Sequence, residues 1–170
     1  MSDRIAIMRS GGIEQIGTAR ELYQRPANSF VASFLGESNL LAGKVSRLEN
    51  GEAELTVPAL AIPLLGKAAS GLTLGSEAAA LLRPESLRVA AVGNGGLAAQ
   101  VEETVYLGDT LSIRLRLANG AELWCRRFAG EGEPPAGPAA LGWSKDEVRI
   151  LPLSPPLTPA PSNENRNQGE

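Results

Sequence analysis

Two lysines follow a glycine in a way that invites comparison with a phosphate-binding loop: Gly43-Lys44 and Gly66-Lys67. Such a loop needs Gly, four residues, Gly, Lys, and then Ser or Thr. The glycines let backbone amides approach phosphate, and the hydroxyl holds magnesium. Before Gly66 the first glycine position is Ala61, and after Lys67 the hydroxyl position is Ala68. Around Gly43-Lys44 the same places hold Ser38 and Val45. Neither pair can cradle phosphate, and both are expected to lie in turns or loops. Gly93-Asn94-Gly95-Gly96 sits between two strand-like runs and opens no helix, so a dinucleotide site is excluded and a hairpin loop is expected.

Carboxylate pairs that could do acid–base work or hold a hard cation are Glu102-Glu103 and Glu131/Glu133. Neighbours on a strand point to opposite faces, so Glu102 and Glu103 are not expected to converge. Glu131 and Glu133 lie in a Gly/Pro-rich stretch and read as solvated charge. The sequence has no histidine, which removes the commonest general base and metal ligand. It has one cysteine, Cys125, with no histidine to activate it, so a small core residue is expected there. A single cysteine also excludes an internal disulfide framework and fits a reducing compartment.

Composition narrows the partners. The 170 residues carry a net charge of -3. Nucleic-acid binding needs a basic stripe, or aromatics in a basic groove. The chain has only two Trp, two Tyr and three Phe, so a nucleic-acid partner is not expected. No apolar run approaches the length of about 18 residues that spans a bilayer, and residues 1–10 do not read as a signal peptide.

The elements that would position these residues can be read in order. Residues 4–8 and 13–16 flank Ser10-Gly11-Gly12 and predict a hairpin. Thr18-Ala19-Arg20-Glu21 follows the capping-box pattern, and Pro26 stops that helix. Asn28 offers a second N-cap, with Phe30, Val31, Phe34 and Leu35 at helical spacing and Gly36 as a stop. From Asn39 on, turn signals recur about every ten residues, which predicts an all-β barrel or sandwich. Runs at 87–92, 97–105, 111–117, 121–128 and 147–151 read as strands. A three-residue loop, Ala118-Asn119-Gly120, is preferred over a two-residue turn because it sorts apolar residues onto one face. It sets Leu115 opposite Leu123, Ile113 opposite Cys125, Arg116 opposite Glu122 and Arg114 opposite Trp124. The first of these polar pairs would be an ion pair, the second a cation–π contact. Residues 154–170 turn Pro-rich and then polar, and read as a disordered tail.

Several stretches resemble one family. Ser2 to Met8, Gly12 to Thr18, Glu21-Leu22-Tyr23, Arg25-Pro26, Asn28, Phe30-Val31-Ala32 and Phe34-Leu35-Gly36 are similar to the end of the nucleotide-binding domain of ABC-importer ATPases. One departure is Ala19, where the family usually carries proline. Leu82-Arg83-Pro84-Glu85, Tyr106-Leu107-Gly108 and Gly142-Trp143 before Val148 resemble the transport-associated OB (TOBE) module that follows. The combination looks most like the polyamine branch, spermidine or putrescine, with iron and thiamine importers close behind.

The resemblance implies a mainly β chain: an OB-like TOBE barrel or sandwich of short antiparallel strands at 38–153, preceded at 1–37 by a hairpin-helix-helix remnant of an α/β nucleotide-binding domain. It implies that the ATP-hydrolysing motifs lie before the position of Met1, so this chain is expected to be no enzyme and to hold no cofactor; ATP and magnesium belong to the intact family member. The expected role is regulation and dimerisation, with small-ligand sensing as the alternative. The expected partners are the nucleotide-binding core, a second copy of the subunit and membrane permease subunits, at the cytoplasmic face of the membrane. Arg83, Pro84, Glu85, Tyr106, Leu107 and Gly108 carry structural roles in this reading. Pro84 fixes a turn braced by Arg83 and Glu85, and Gly108 bends a strand beside Tyr106. Arg114, Arg116 and Trp124 form a candidate interface.

Overall fold

The computed structural model describes residues 3–154 except 59, 61, 94 and 95. The chain opens with the expected hairpin, β1 (Ile5–Arg9) and β2 (Gly12–Gly17). Ser10 and Gly11 both take a left-handed φ in its two-residue turn, the backbone such a turn needs to match strand twist. Helix α1 (Ala19–Gln24) starts on the full Thr18/Glu21 capping box, and α2 (Ser29–Phe34) starts on Asn28, whose side chain accepts from the Val31 amide. Ile7, Leu22 and Val31 close a small core inside this segment.

The rest is β-structure. Strands β3 (Asn39–Glu49), β4 (Glu52–Thr56), β5 (Leu64–Ala68) and β6 (Glu77–Leu82) form a barrel. It closes only when the last strand, β12 (Arg149–Pro152), inserts between β5 and β6, parallel to the first and antiparallel to the second. Between β6 and β12 the chain builds a five-stranded sheet from β7 (Arg88–Ala91), β8 (Leu97–Leu107), β9 (Thr110–Leu117), β10 (Glu122–Phe128) and β11 (Gly137–Gly142), in the order β10-β9-β8-β11-β7. Barrel and sheet share one core, in which Leu55, Leu64 and Ile150 meet Ile113, Leu115 and Leu141.

The two β units are related repeats that exchange a strand. Arg88 pairs with Gly142 as Arg149 pairs with Leu81, and the match runs through Ala91 with Ala139 and Pro152 with Ala78. A 3₁₀ turn precedes each exchanged strand, Pro84–Ser86 and Lys145–Glu147. The first hairpin of each unit carries one extra residue just after a core valine: Ser46 after Val45 and Glu102 after Val101. Each unit therefore lends its fifth strand to the other.

The β9–β10 hairpin has the three-residue loop, with Gly120 at φ 83° and every expected pair from Arg116–Glu122 to Ile113–Cys125 in register. Other expectations are corrected. Gly43-Lys44 and Gly66-Lys67 lie inside β3 and β5, not in turns. A Cβ on Gly43 would stand 2.3 Å from the Thr56 carbonyl oxygen, and one on Gly66 2.7 Å from the Val148 side chain, so both glycines permit close strand approach. Strands β7 and β8 do not pair as a hairpin, because β11 lies between them; residues 94 and 95 of the expected loop lie outside the described residues. Strand β11 falls in a stretch read only as Gly-rich and as Gly142-Trp143. Glu147 belongs to a 3₁₀ turn, so the final strand begins at Arg149. Of the expected tail only Ser154 is described; residues 155–170 lie outside the described residues. No helix among the described residues is long and apolar enough to cross a membrane.

Candidate functional site

The junction between the helical segment and the barrel is built around Arg83. Strand β6 delivers this residue to the barrel's end, and Pro84, preset for the first position of a 3₁₀ turn, ends the strand there. Arg83 is 6% exposed. Its Nη2 donates to the Tyr23 carbonyl (3.0 Å), and its Nη1 donates to the carbonyls of Ala32 (3.1 Å) and Glu37 (3.3 Å). Tyr23 lies in the last turn of α1, and Ala32 in that of α2. Those carbonyls have no partner within their own helices, and the negative ends of both dipoles favour a cation. One guanidinium thus caps two helices.

The same cation lies 3.9 Å over the Tyr23 ring. The Tyr23 hydroxyl donates to Glu85 Oε1 at 2.5 Å. Burial, then the Glu85 carboxylate, push the Tyr23 phenol up to about 12. Burial pulls the Arg83 guanidinium below its ordinary value. Ala32 packs with Leu81 and Leu151, and the Ser154 hydroxyl accepts from the Phe30 amide at 3.0 Å. Arg126 on β10 makes an ion pair with Glu37. Every one of these contacts joins the first 37 residues to the β-structure.

A second junction ties barrel to sheet. Asn39, 4% exposed, donates through Nδ2 to the Trp124 carbonyl (2.8 Å) and accepts from the Trp124 amide (2.7 Å). Its side-chain amide replaces a strand partner along the edge of β10.

On the exposed face of the sheet, Arg114 and Arg116 are organised by the bulge in β8. Arg114 donates to Glu102 (2.9 Å) and to Glu103 (3.2 Å); Arg116 donates to Glu102 (3.0 Å) and Glu122 (2.9 Å). This corrects the expectation that Glu102 and Glu103 point apart. The unpaired residue in the bulge breaks strict alternation, so both carboxylates reach one arginine. It also redirects Arg114, whose partners are carboxylates and not the Trp124 ring. Hydrogen bonding to Arg116, against some burial, leaves the Glu102 carboxyl below its ordinary range. Trp124 stays 36% exposed beside this network.

Tyr106 and Leu107 stand exposed at the tip of the β8–β9 hairpin, near Phe128. Gly108 takes φ 77° in the two-residue turn, so it turns the chain instead of bending a strand. Tyr106 reaches out to Glu133 (3.4 Å) instead of packing beside the glycine. Cys125 is fully buried, donates to the Leu87 carbonyl (3.2 Å), and is pushed up to about 11 by burial, which leaves it a thiol at neutral pH. Among the described residues no three metal-ligating side chains cluster. The arrangement offers charged seams and surfaces.

Residues 80–151 match the family model described as TOBE domain. The spermidine/putrescine import ATP-binding protein PotA of Methylococcus capsulatus is 38% identical over 162 residues, which is 91% of this chain and 42% of the relative. The Fe(3+) ions import ATP-binding protein FbpC of Rhizobium etli is 33% identical over 151 residues, 89% of this chain and 42% of the relative. The chain therefore spans less than half the length of these relatives. Among solved structures, the cytoplasmic molybdate-binding protein ModG with molybdate bound aligns with a TM-score of 0.56 at 17% identity, over 67% of this chain and 95% of the other, and shows a shared fold.

Proposed function

We propose, from the premise that this chain carries a TOBE domain and is a relative of the ABC-importer ATP-binding proteins, that it is a regulatory and dimerisation region of a polyamine importer. In this reading residues 1–37 are the end of the nucleotide-binding domain and residues 38–153 the accessory domain. The chain holds no cofactor and hydrolyses nothing itself. It works at the cytoplasmic face of the membrane with the nucleotide-binding core, a second copy of the subunit and the permease subunits.

The observation that carries the proposal is the Arg83 junction. A buried cation that caps both helices couples any movement of residues 1–37 to the barrel. An accessory domain that follows the nucleotide cycle needs such a rigid link. Trp124, exposed beside the Arg114/Arg116 network, supplies an aromatic of the kind that anchors interfaces.

Sedimentation equilibrium of the chain tests the dimerisation role. Self-association weakened by Trp124→Ala is expected, and a strict monomer at all concentrations would overturn that role. ATP turnover by the purified chain would overturn the non-catalytic reading. Gene deletion with labelled spermidine and ferric iron tests the substrate. Loss of spermidine uptake alone is expected; loss of iron uptake alone favours the second reading, an iron importer, which the FbpC likeness supports.

A further inference from the structure

The parallel ladder between β5 and β12 sets Lys67 directly opposite Arg149. Ile150 points into the core, so Arg149 points out of the barrel, beside Lys67. Like charges directly opposite one another on a sheet repel. Arg25, at the C-terminal end of α1, adds a third cation: these three residues line both a cleft of about 380 Å³ and the adjoining hollow. Burial, then the like charge of Arg25, push the Arg149 guanidinium below its ordinary value.

The acids around this cluster have cations of their own. Glu147 pairs with Arg88 and Glu52 with Lys145, and Glu85 lies beside Arg83. Asp146 meets Lys67 at 3.2 Å, but both side chains are largely exposed. Among the described residues the guanidiniums of Arg25 and Arg149 make no hydrogen bond or ion pair, and Arg149 Nε is buried without an acceptor. A folded chain pairs its buried donors. Two guanidiniums without a carboxylate partner, beside a lysine that has one, leave this cleft with positive charge to spare.

We propose that this cleft binds a compact oxyanion of phosphate chemistry, free or as a phosphomonoester. Two guanidinium forks suit the paired oxygens of such a group, and the lysine adds a point charge. A cleft of this volume accommodates a phosphate with bridging water. The same charges repel a polyamine, so the cleft is no sensor of that cargo. The ligand lies between α1 and the barrel, where it stiffens the seam. The proposal stands independently of the dimerisation role.

Isothermal titration calorimetry on the whole chain, at fixed ionic strength in chloride, tests it with inorganic phosphate, glycerol 3-phosphate and putrescine. Saturable binding of a phosphate form is expected, with putrescine silent. Arg149→Gln and the exposed Arg25→Gln are each expected to weaken it at least tenfold, while Arg47→Gln on the far strand leaves it unchanged. Tighter binding of glycerol 3-phosphate assigns the esterified source; tighter binding of phosphate assigns the free ion. No saturable heat from either form, affinity in Arg25→Gln and Arg149→Gln unchanged from the unsubstituted chain, or putrescine binding lost in those variants would overturn it. Thermal melts of each variant separate a lost site from a lost fold.

Discussion

Arg83 lies 3.9 Å over the ring of Tyr23 while its Nη2 takes that residue's own carbonyl. Two residues sixty positions apart thereby share a stacked contact and a hydrogen bond. The pair couples the helical segment to the barrel alongside Ala32 on Leu81 and Leu151, the Phe30–Ser154 hydrogen bond and the Arg126–Glu37 ion pair.

Replacing Arg83 by leucine fills the space but leaves the carbonyls of Tyr23, Ala32 and Glu37 without their donor. A loss of about 2–3 kcal/mol is expected from buried acceptors left unmade. Hydrogen exchange is the discriminating measurement. Amides of residues 5–35 should lose protection first, while those of Ile113 and Leu115 hold. Uniform loss across the chain would mean that Arg83 is not the link.

Tyr23 gives the protein an alkaline limit. Its folded-state phenol sits at about 12, above the ordinary value of about 10. The native state therefore holds its proton more tightly than the unfolded chain. The stability this confers is present in full below pH 10 and disappears as pH rises through 12. Urea titrations should show stability falling across that window, and Tyr23→Phe should flatten the fall.

Gly43 and Gly66 sit where another backbone or side chain comes too close for a Cβ. Gly43→Ala and Gly66→Ala are each expected to cost about 1–3 kcal/mol, as overpacking does. Gly130 has open space and an ordinary φ, so Gly130→Ala should be nearly neutral in the same chemical denaturation.

Glu102 carries the acid counterpart. Its folded carboxyl lies below the ordinary range because Arg116 hydrogen-bonds it. The contribution is therefore present above the unfolded value of about 4.3 and fades as pH falls toward the folded one. Thermal melts should show Glu102→Gln removing part of the acid sensitivity, with the remaining effect shrinking at high salt.

Much of the local structure was legible. The capping box of Thr18 and Glu21 spans four residues, and both of its bonds form within that span. The β9–β10 register follows from polar/apolar alternation on either side of Asn119-Gly120, because a slip by one residue would expose Leu115 and Leu123. Arg83, Pro84 and Glu85 stand out as a motif, but nothing local shows that Arg83 and Glu85 reach out of the turn to the helical segment. Alternation misread Glu102 and Glu103, since nothing in the sequence marks the bulge that brings them together.

What the sequence by itself determined is whatever is settled by neighbours: caps, hairpin turns, which face of a strand is apolar, and the want of a histidine-based site. What only the tertiary structure decided is where distant segments meet. Strand β12 closes the barrel beside β5, which sets Lys67 against Arg149; β6 brings Arg83 under the ends of both helices. The repeat that makes this exchange possible survives mainly in Leu87-Arg88-Val89 and Val148-Arg149-Ile150, too short to notice before the two strands are seen in equivalent places. The physical reason is range. Propensity, capping and alternation act over a few residues, whereas strand exchange and charge clustering depend on the shared core that forms when both units pack.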